Sequence, residues 1–256
     1  MTVVSLRFAS LGSGSRGNAL LVESDDTLVM IDCGLSRRTI EHRLRVLGRE
    51  PSDLAAVLIS HEHSDHVQGA EAFLRRYRAP VWMTAGTTAA LAALPRTGVL
   101  NGHRALRIGS LRIEPYPVPH DAREPCQFVF ASAGRRLGLL TDSGCVTPHM
   151  HDSLKRCDAL ALEFNHDVEM LRASAYPASV KARIASRFGH LSNAQSSAFL
   201  CAAAHPALQW VAALHLSERN NSPALVSTCF EEAMAGETCS LHIATQSGPT
   251  AWCEIV

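Results

Sequence analysis

The sequence predicts an α/β fold in which two sheets are covered by helices, and three observations carry that expectation. Apolar runs of strand length alternate along the chain with longer stretches of helical period. Several of the runs stop abruptly at His, Asp or Glu. No repeat, low-complexity tract or long linker divides the 256 residues, so a single domain spanning 1–256 is expected, as layered folds often reach that size.

The elements follow in order. Val3 to Leu11 reads as a strand, and Gly12 to Asn18 as a loop of residues that tolerate unusual backbone angles. Ala19 to Glu23 and Thr27 to Ile31 form a hairpin around Ser24-Asp25-Asp26, and the second strand delivers Asp32. Ser36 caps a helix that runs to about Leu47 and stops at Gly48. Ala55 to Ile59 is a buried strand, Val67 to Tyr77 a helix, Pro80 to Met83 a short strand and Gly86 to Leu94 an alanine-rich helix closed by Pro95. Two short strands lie between Ala105 and Val118, and Pro115, Pro117 and Pro119 stiffen the approach to His120-Asp121. Cys126 to Ala131 and Arg136 to Leu140 pair around Ser132-Ala133-Gly134 and end at Asp142. Helices are expected over 147–155, 177–187, 192–204 and 223–234. Strands are expected over 159–164 and 210–214, with edge strands over 241–245 and 251–256.

Composition narrows the function classes. Lys plus Arg equals Asp plus Glu at 24 each, so no domain-wide basic field advertises nucleic acid, although local patches such as Arg75, Arg76 and Arg78 can meet phosphates. Eight cysteines are scattered without a CxxC pair, which favours reduced thiols. No apolar run approaches the roughly 18 residues that cross a bilayer, and Met1 to Ser10 has no leader pattern. A cytoplasmic protein without a membrane partner is expected.

The densest chemistry is Ser60-His61-Glu62-His63-Ser64-Asp65-His66, directly after the apolar run at 55–59. His61 and His63, two apart on extended backbone, share a side and can grip one metal ion; Asp65 and His66 can grip a second as the loop turns. Other polar residues stand at later strand ends: Asp32, His120, Asp142, Glu163, His166 and His215. A single histidine there is more often a hydrogen-bonded rim residue than a ligand, and His42, His103, His149, His151, His205 and His242 are read that way. Asp32 is read as a carboxylate that fixes a ligand histidine.

In this order the residues His61-x-His63-x-Asp65-His66, His120, Asp142 and His215, with Asp32 first, resemble the motifs of the metallo-β-lactamase superfamily. That resemblance implies a four-layer αββα sandwich. Gly12-Ser13-Gly14-Ser15-x-Gly17-Asn18, Thr141-Asp142-Ser143-Gly144, Glu163-x-Asn165-His166-Asp167, Tyr176-Pro177, Gly189-His190-Leu191-Ser192-Asn193 and His215-Leu216-Ser217 are similar to the YycJ/WalJ family of exonuclease-like metallohydrolases. Pro119 departs from the serine expected there. The resemblance implies that His61, His63 and His120 hold one divalent ion and Asp65, His66 and His215 another, with Asp142 bridging them. Zinc is the default, and manganese and iron suit the same donors.

The implied activity is a dinuclear phosphodiesterase or nuclease, an exonuclease on DNA more than RNA. Two ions about 3.5–4 Å apart would share a hydroxide as nucleophile. Glu163 and His190 resemble the proton relay of tRNase Z, general acid and its orienter. Asp65 also orients the hydroxide, and His166 has a role at the active site. Ser13, Ser15 and Asn18 would contact substrate if their loop lies on the metal edge. Asp142 and His215 are only 73 residues apart, which leaves no room for a large substrate-clamping insert domain. The rival is hydrolysis of a small thioester, lactone or cyclic phosphodiester on the same ions. A metal-stabilised binding module without turnover fits less well, because a closed structural zinc site needs only four ligands.

Overall fold

The computed structural model describes residues 6–95 and 98–256; Val3, Val4 and Ser5, expected to open the first strand, lie outside the described residues. The first sheet runs through β1 (Leu6–Gly12), β2 (Ala19–Ser24), β3 (Thr27–Ile31), β4 (Leu54–Ile59), β5 (Val81–Thr84) and β6 (Gly98–Leu100). The second runs through β7 (Leu106–Ile108), β8 (Leu111–Pro117), β9 (Cys126–Ser132), β10 (Arg135–Leu140), β11 (Ala159–Glu163), β12 (Trp210–Leu214) and β13 (Ser240–Ile243). The last strand, β14 (Cys253–Ile255), returns to the first sheet and pairs antiparallel with β1, Leu6 opposite Ile255.

Each sheet is antiparallel in one half and parallel in the other. Pairing becomes parallel from β3 to β6 and from β10 to β13. Parallel strands are reached by crossovers that lay helices on the sheet, so both faces of β3, β4 and β11 are buried and their sequences are almost continuously apolar. Alternation sorts the side chains. Val29 and Ile31 point between the sheets, where they join Phe8, Val22, Leu58, Phe128, Phe130 and Leu137.

Leu28 and Met30 point the other way, toward α1 (Arg37–Val46) and α3 (Ala70–Tyr77), whose Ile40, Leu44, Phe73 and Leu74 complete an outer layer. On the far side, Leu140, Leu160 and Leu162 meet Met150 of α5 (Pro148–Leu154), Phe199 of α8 (Asn193–Ala203) and Phe230 of α9 (Pro223–Ala233). The result is the expected four-layer αββα sandwich. Among the described residues no helix is long and apolar enough to cross a membrane.

Three local features differ from the sequence reading. The helix expected over 67–77 is two pieces, α2 (Ser64–Val67) and α3, broken at Gln68-Gly69. A β-carbon on Gly69 would sit 1.8 Å from the Leu35 carbonyl oxygen, so the chain turns there to pass another loop. The alanine-rich helix is the shorter α4 (Ala85–Ala90), and β6 follows it as a three-residue edge strand too short to carry a pattern. A helix α6 (Val168–Ala173) precedes α7 (Ala178–Ile184) in the stretch after β11.

The loops at the strand ends are zipped by backbone. Asn18 N donates to Asp65 O (2.8 Å), Gly34 N to Asn18 O (2.9 Å) and Cys33 N to His66 O (2.8 Å). Gly34 lies so close that a β-carbon would fall 1.7 Å from Asp65 O and 2.7 Å from Asn18 N, both backbone atoms that cannot swing away. Gly34→Ala is therefore expected to cost about 1–3 kcal/mol, read from the urea midpoint, and to loosen metal retention; an unchanged midpoint would show that these loops yield freely.

Candidate metal centre

Parallel strands present their carboxyl ends to one edge, the usual place for a ligand site in open α/β sheets. Here the ends of β3, β4, β10, β11 and β12 deliver Asp32, His61, Asp142, Glu163 and His215. Pro115 and Pro117 within β8, and Pro119 after it, carry the chain on to His120. Three of these residues hold left-handed backbone: Asp32 (φ 62°), Asp142 (φ 56°) and His215 (φ 57°). Residues other than glycine rarely adopt such angles, and their persistence at a site edge means the surrounding contacts impose them.

The imidazoles are oriented from behind. Asp32, buried, accepts from the Ser60 amide (2.8 Å), the Ser60 hydroxyl (2.9 Å) and His66 Nδ1 (2.7 Å). Ser60 Oγ also lies 3.0 Å from His61 Nδ1. His120 Nδ1 faces the Gly189 carbonyl at 3.0 Å, and His215 Nδ1 faces Glu163 Oε1 at 2.9 Å. Each contact holds the tautomer that points Nε2 into the site. His63 differs: its Nδ1 lies 3.1 Å from His120 Nε2, so this nitrogen faces inward.

The inward atoms form clusters within 4.8 Å of one another: His61 with His63 and His120, Asp65 with His66 and His215, and His61 with His66 and Asp142. Asp142 thus lies between the first two groups, 3.4 Å from His66 Nε2, 3.3 Å from His215 Nδ1 and 3.9 Å from His120 Nε2. The structure brings together all seven residues expected as ligands.

The electrostatics call for cations. Burial pushes the His61 imidazole well below its ordinary value. Burial opposes charge on His66 and His215 as well, but Asp142 and the neighbouring carboxylates lift both well above it. Asp65 and Asp142 are held far below the usual carboxylate range by the histidines, against the effect of burial. Among the described residues His61 Nε2 is buried without a hydrogen-bond partner, and Asp142 Oδ2 has only the His66 Nε2 contact at 3.4 Å, an expensive state for a polar atom unless a cation faces it. Imidazole and carboxylate donors converging in this way fit divalent metal ions.

A cavity of about 290 Å³ opens onto the cluster, lined by His63, Asp65, Asp142, His190 and His215 together with Ser15, Asn165, Tyr176, Arg183 and Ser217. Glu163 does not reach it. Fully buried, that carboxylate accepts from His190 Nδ1 (2.8 Å), His215 Nδ1 and the Leu191 amide (3.1 Å). Burial works against its ionisation, yet His190 and His215 bring its carboxyl down to about 2.

The glycine-rich loop divides between two tasks. Ser15 lines the cavity, whereas Ser13 Oγ accepts from the His215 amide (2.8 Å) and donates to Asn18 Oδ1 (3.0 Å), and Asn18 Nδ2 reaches Asp65 Oδ2 (3.3 Å). Both inner residues are buried supports of the ligands. His166 is buried outside the metal clusters and the cavity, 3.3 Å from Asn165 Oδ1. Its neighbour Asn165 lines the cavity and donates to the His215 carbonyl (3.0 Å). Asn165 and Ser60 stand within motifs legible in the sequence but carry no role there, since neither residue type signals a support until the loops that meet are known.

Comparison with known proteins places the chain in a family. The model of the beta-lactamase superfamily domain matches residues 27–223. Exodeoxyribonuclease YycJ of Bacillus anthracis is 33% identical over 96% of this chain and 98% of its own. The chain belongs to the metallo-β-lactamase superfamily, in its YycJ/WalJ family. Exodeoxyribonuclease WalJ of Streptococcus pneumoniae is 32% identical over 86% of this chain and 85% of its own. The metallo-beta-lactamase fold protein YhfI of Bacillus subtilis matches with a TM-score of 0.76 over 98% of this chain and 99% of that one, at 14% identity, a likeness of fold. As a YycJ/WalJ-family member, the chain is a metal-dependent hydrolase.

Asp32→Asn keeps a residue that tolerates left-handed backbone but removes the charge behind His66. It is expected to weaken metal affinity by about 10–100-fold with little change in fold, as measured by competition with a chromogenic chelator; wild-type affinity would mean that His66 is held by packing alone.

Proposed function

We propose that this chain is a dinuclear phosphodiesterase that degrades nucleic acid, DNA before RNA, by releasing nucleotides from an end. The observation that carries the reading is the Glu163–His190 pair: a buried carboxylate holds one imidazole nitrogen at 2.8 Å while the ring borders the cavity. An alkoxide leaving group needs a proton, whereas thioester hydrolysis expels a thiolate that does not. The names of the YycJ and WalJ relatives support the same choice.

His61, His63 and His120 would hold one divalent ion and Asp65, His66 and His215 the other, with Asp142 between them. Zinc is the default and manganese or iron are alternatives. When bound, the ions supply Lewis acidity, which offsets phosphoryl charge and makes an attacking water available at neutral pH. The chain's own residues do the rest. Asp65 borders the cavity beside His215 and orients the water. His190 donates a proton to the departing oxygen, and Glu163 stabilises the imidazolium and fixes its direction. Of this pair His190 is thus the general acid and Glu163 the orienter, because only His190 reaches the cavity. Ser15 meets the substrate, while Ser13, Asn18 and Asp32 keep the ligands in place. His166 acts through Asn165 as part of the wall behind His215.

Protein loaded with zinc or manganese should release mononucleotides from labelled single- or double-stranded DNA or RNA. His190→Ala is expected to lower kcat by about 10²–10⁴-fold with metal content unchanged. Turnover of a thioester without nucleotide release under either metal would overturn the proposal.

A further inference from the structure

Residues 168–188 form an excursion between β11 and α8 that the chemistry so far leaves unused. It holds α6 and α7, and α7 buries none of its residues. A helix without a buried face contributes little to its own fold and is open to a partner. The chain as a whole is neutral, but this stretch sets Arg172, Lys181, Arg183 and Arg187 against a single acid, Glu169.

Its inner side reaches the catalytic cavity, where Tyr176 and Arg183 form part of the wall. Arg183 spends Nε on Asp121 (2.5 Å), and among the described residues its terminal amines donate no hydrogen bond. Asp121 in turn lies 3.8 Å from His63 and 3.6 Å from His120, so the guanidinium is anchored next to the metal ligands. At the outer end, Phe188 is 49% exposed, the one aromatic among the exposed large hydrophobics of the described residues, and Arg187 lies over its ring at 5.5 Å. Tyr176 is overlaid by Arg219 at 5.8 Å in the same way.

We infer that the segment 168–188 is the clamp that holds an unpaired strand of nucleic acid against the metal centre. Arg183 contacts the phosphate next to the scissile one, Arg187 and Lys181 contact phosphates further along, and Phe188 and Tyr176 stack on bases. Free guanidinium donors match phosphate oxygens in charge and geometry. Rings overlaid by arginine offer stacking faces that only unstacked bases can use, which favours a single strand over a duplex. The clamp supplies from within the core fold what a large insert domain would otherwise provide. It rests on the nuclease reading above.

Salt dependence tests it. Binding of the manganese-loaded protein to an uncleavable phosphorothioate single strand is measured by anisotropy across a salt series, with cleavage of the ordinary oligonucleotide followed in parallel. Arg183→Ala and Arg187→Ala should each lower the slope of log affinity against log salt by about 0.7, the value for one lost single-strand phosphate contact. Phe188→Ala should weaken binding on the order of ten-fold with the slope unchanged, and a blunt duplex should bind more weakly than the single strand. Arg45→Ala, in the last turn of α1 beside Glu50 and so at the end of β4 opposite the metal edge, should match wild type. If wild type cleaves DNA but the slopes do not move, or Arg45→Ala loses as much, the clamp is overturned and the nuclease reading stands. A wild-type protein that neither binds nor cleaves any strand overturns both.

Discussion

The carboxylate of Asp32 is the contact on which the metal edge depends. Three donors converge on it, the Ser60 amide and hydroxyl at the end of β4 and His66 Nδ1 from α2. Its own amide donates to Leu58 O at 2.8 Å. One residue therefore sets the relative height of β3 and β4, the start of the His61–His66 loop and the tautomer of His66. Ser60 passes the same constraint to His61. Glu163 plays the matching part in the second sheet, where it ties His215 and His190 to one carboxylate. Each half of the sandwich thus orders its own histidines around one buried anion, and the halves meet where the His215 amide donates to Ser13 Oγ and where His66 approaches Asp142.

Such an edge is costly to assemble without cations. Burying Asp32, Asp142 and Glu163 beside the half-buried Asp65 works against folding unless positive charge accompanies them. In the protein alone that charge comes from His66 and His215, whose affinity for protons is raised by the carboxylates. Divalent ions would take over this task, so metal binding and folding stability are coupled by mass action. The same logic explains why the edge is lined mainly by polar and charged side chains. Its stability resides in hydrogen bonds and charge, while the apolar layers behind it hold the strands in register.

Much of this was legible in the sequence, for identifiable reasons. Strands buried on both faces write themselves as unbroken apolar runs, and their ends are marked because a polar residue cannot continue inside. His61 to His66 was readable because its ligands are adjacent in the chain. The assignment of His120, Asp142 and His215 to the same site came from motif order, since residues this far apart carry no local sign of meeting. The supports were hidden for a similar reason. Ser13 and Asn18 stood out as loop residues facing substrate, but the backbone zipper between 18, 34 and 65 turns them inward. Helix α6 escaped because it buries little more than Leu171, so no apolar period announces it. The break at Gly69 reflects a neighbouring loop, information that no window of local sequence contains.

The left-handed backbone at Asp32, Asp142 and His215 bears on how this protein can change. Each of these residues would be relieved of roughly 1–2 kcal/mol of backbone strain by glycine, and asparagine tolerates the same angles more readily than histidine. Replacing Asp32 would, however, leave the Ser60 amide and hydroxyl and His66 Nδ1 without their acceptor, so the strain persists because the side chains that carry it also hold the edge together. Stabilised variants of this chain are best sought in its apolar layers and outer helices, away from the residues in which strain and chemistry coincide.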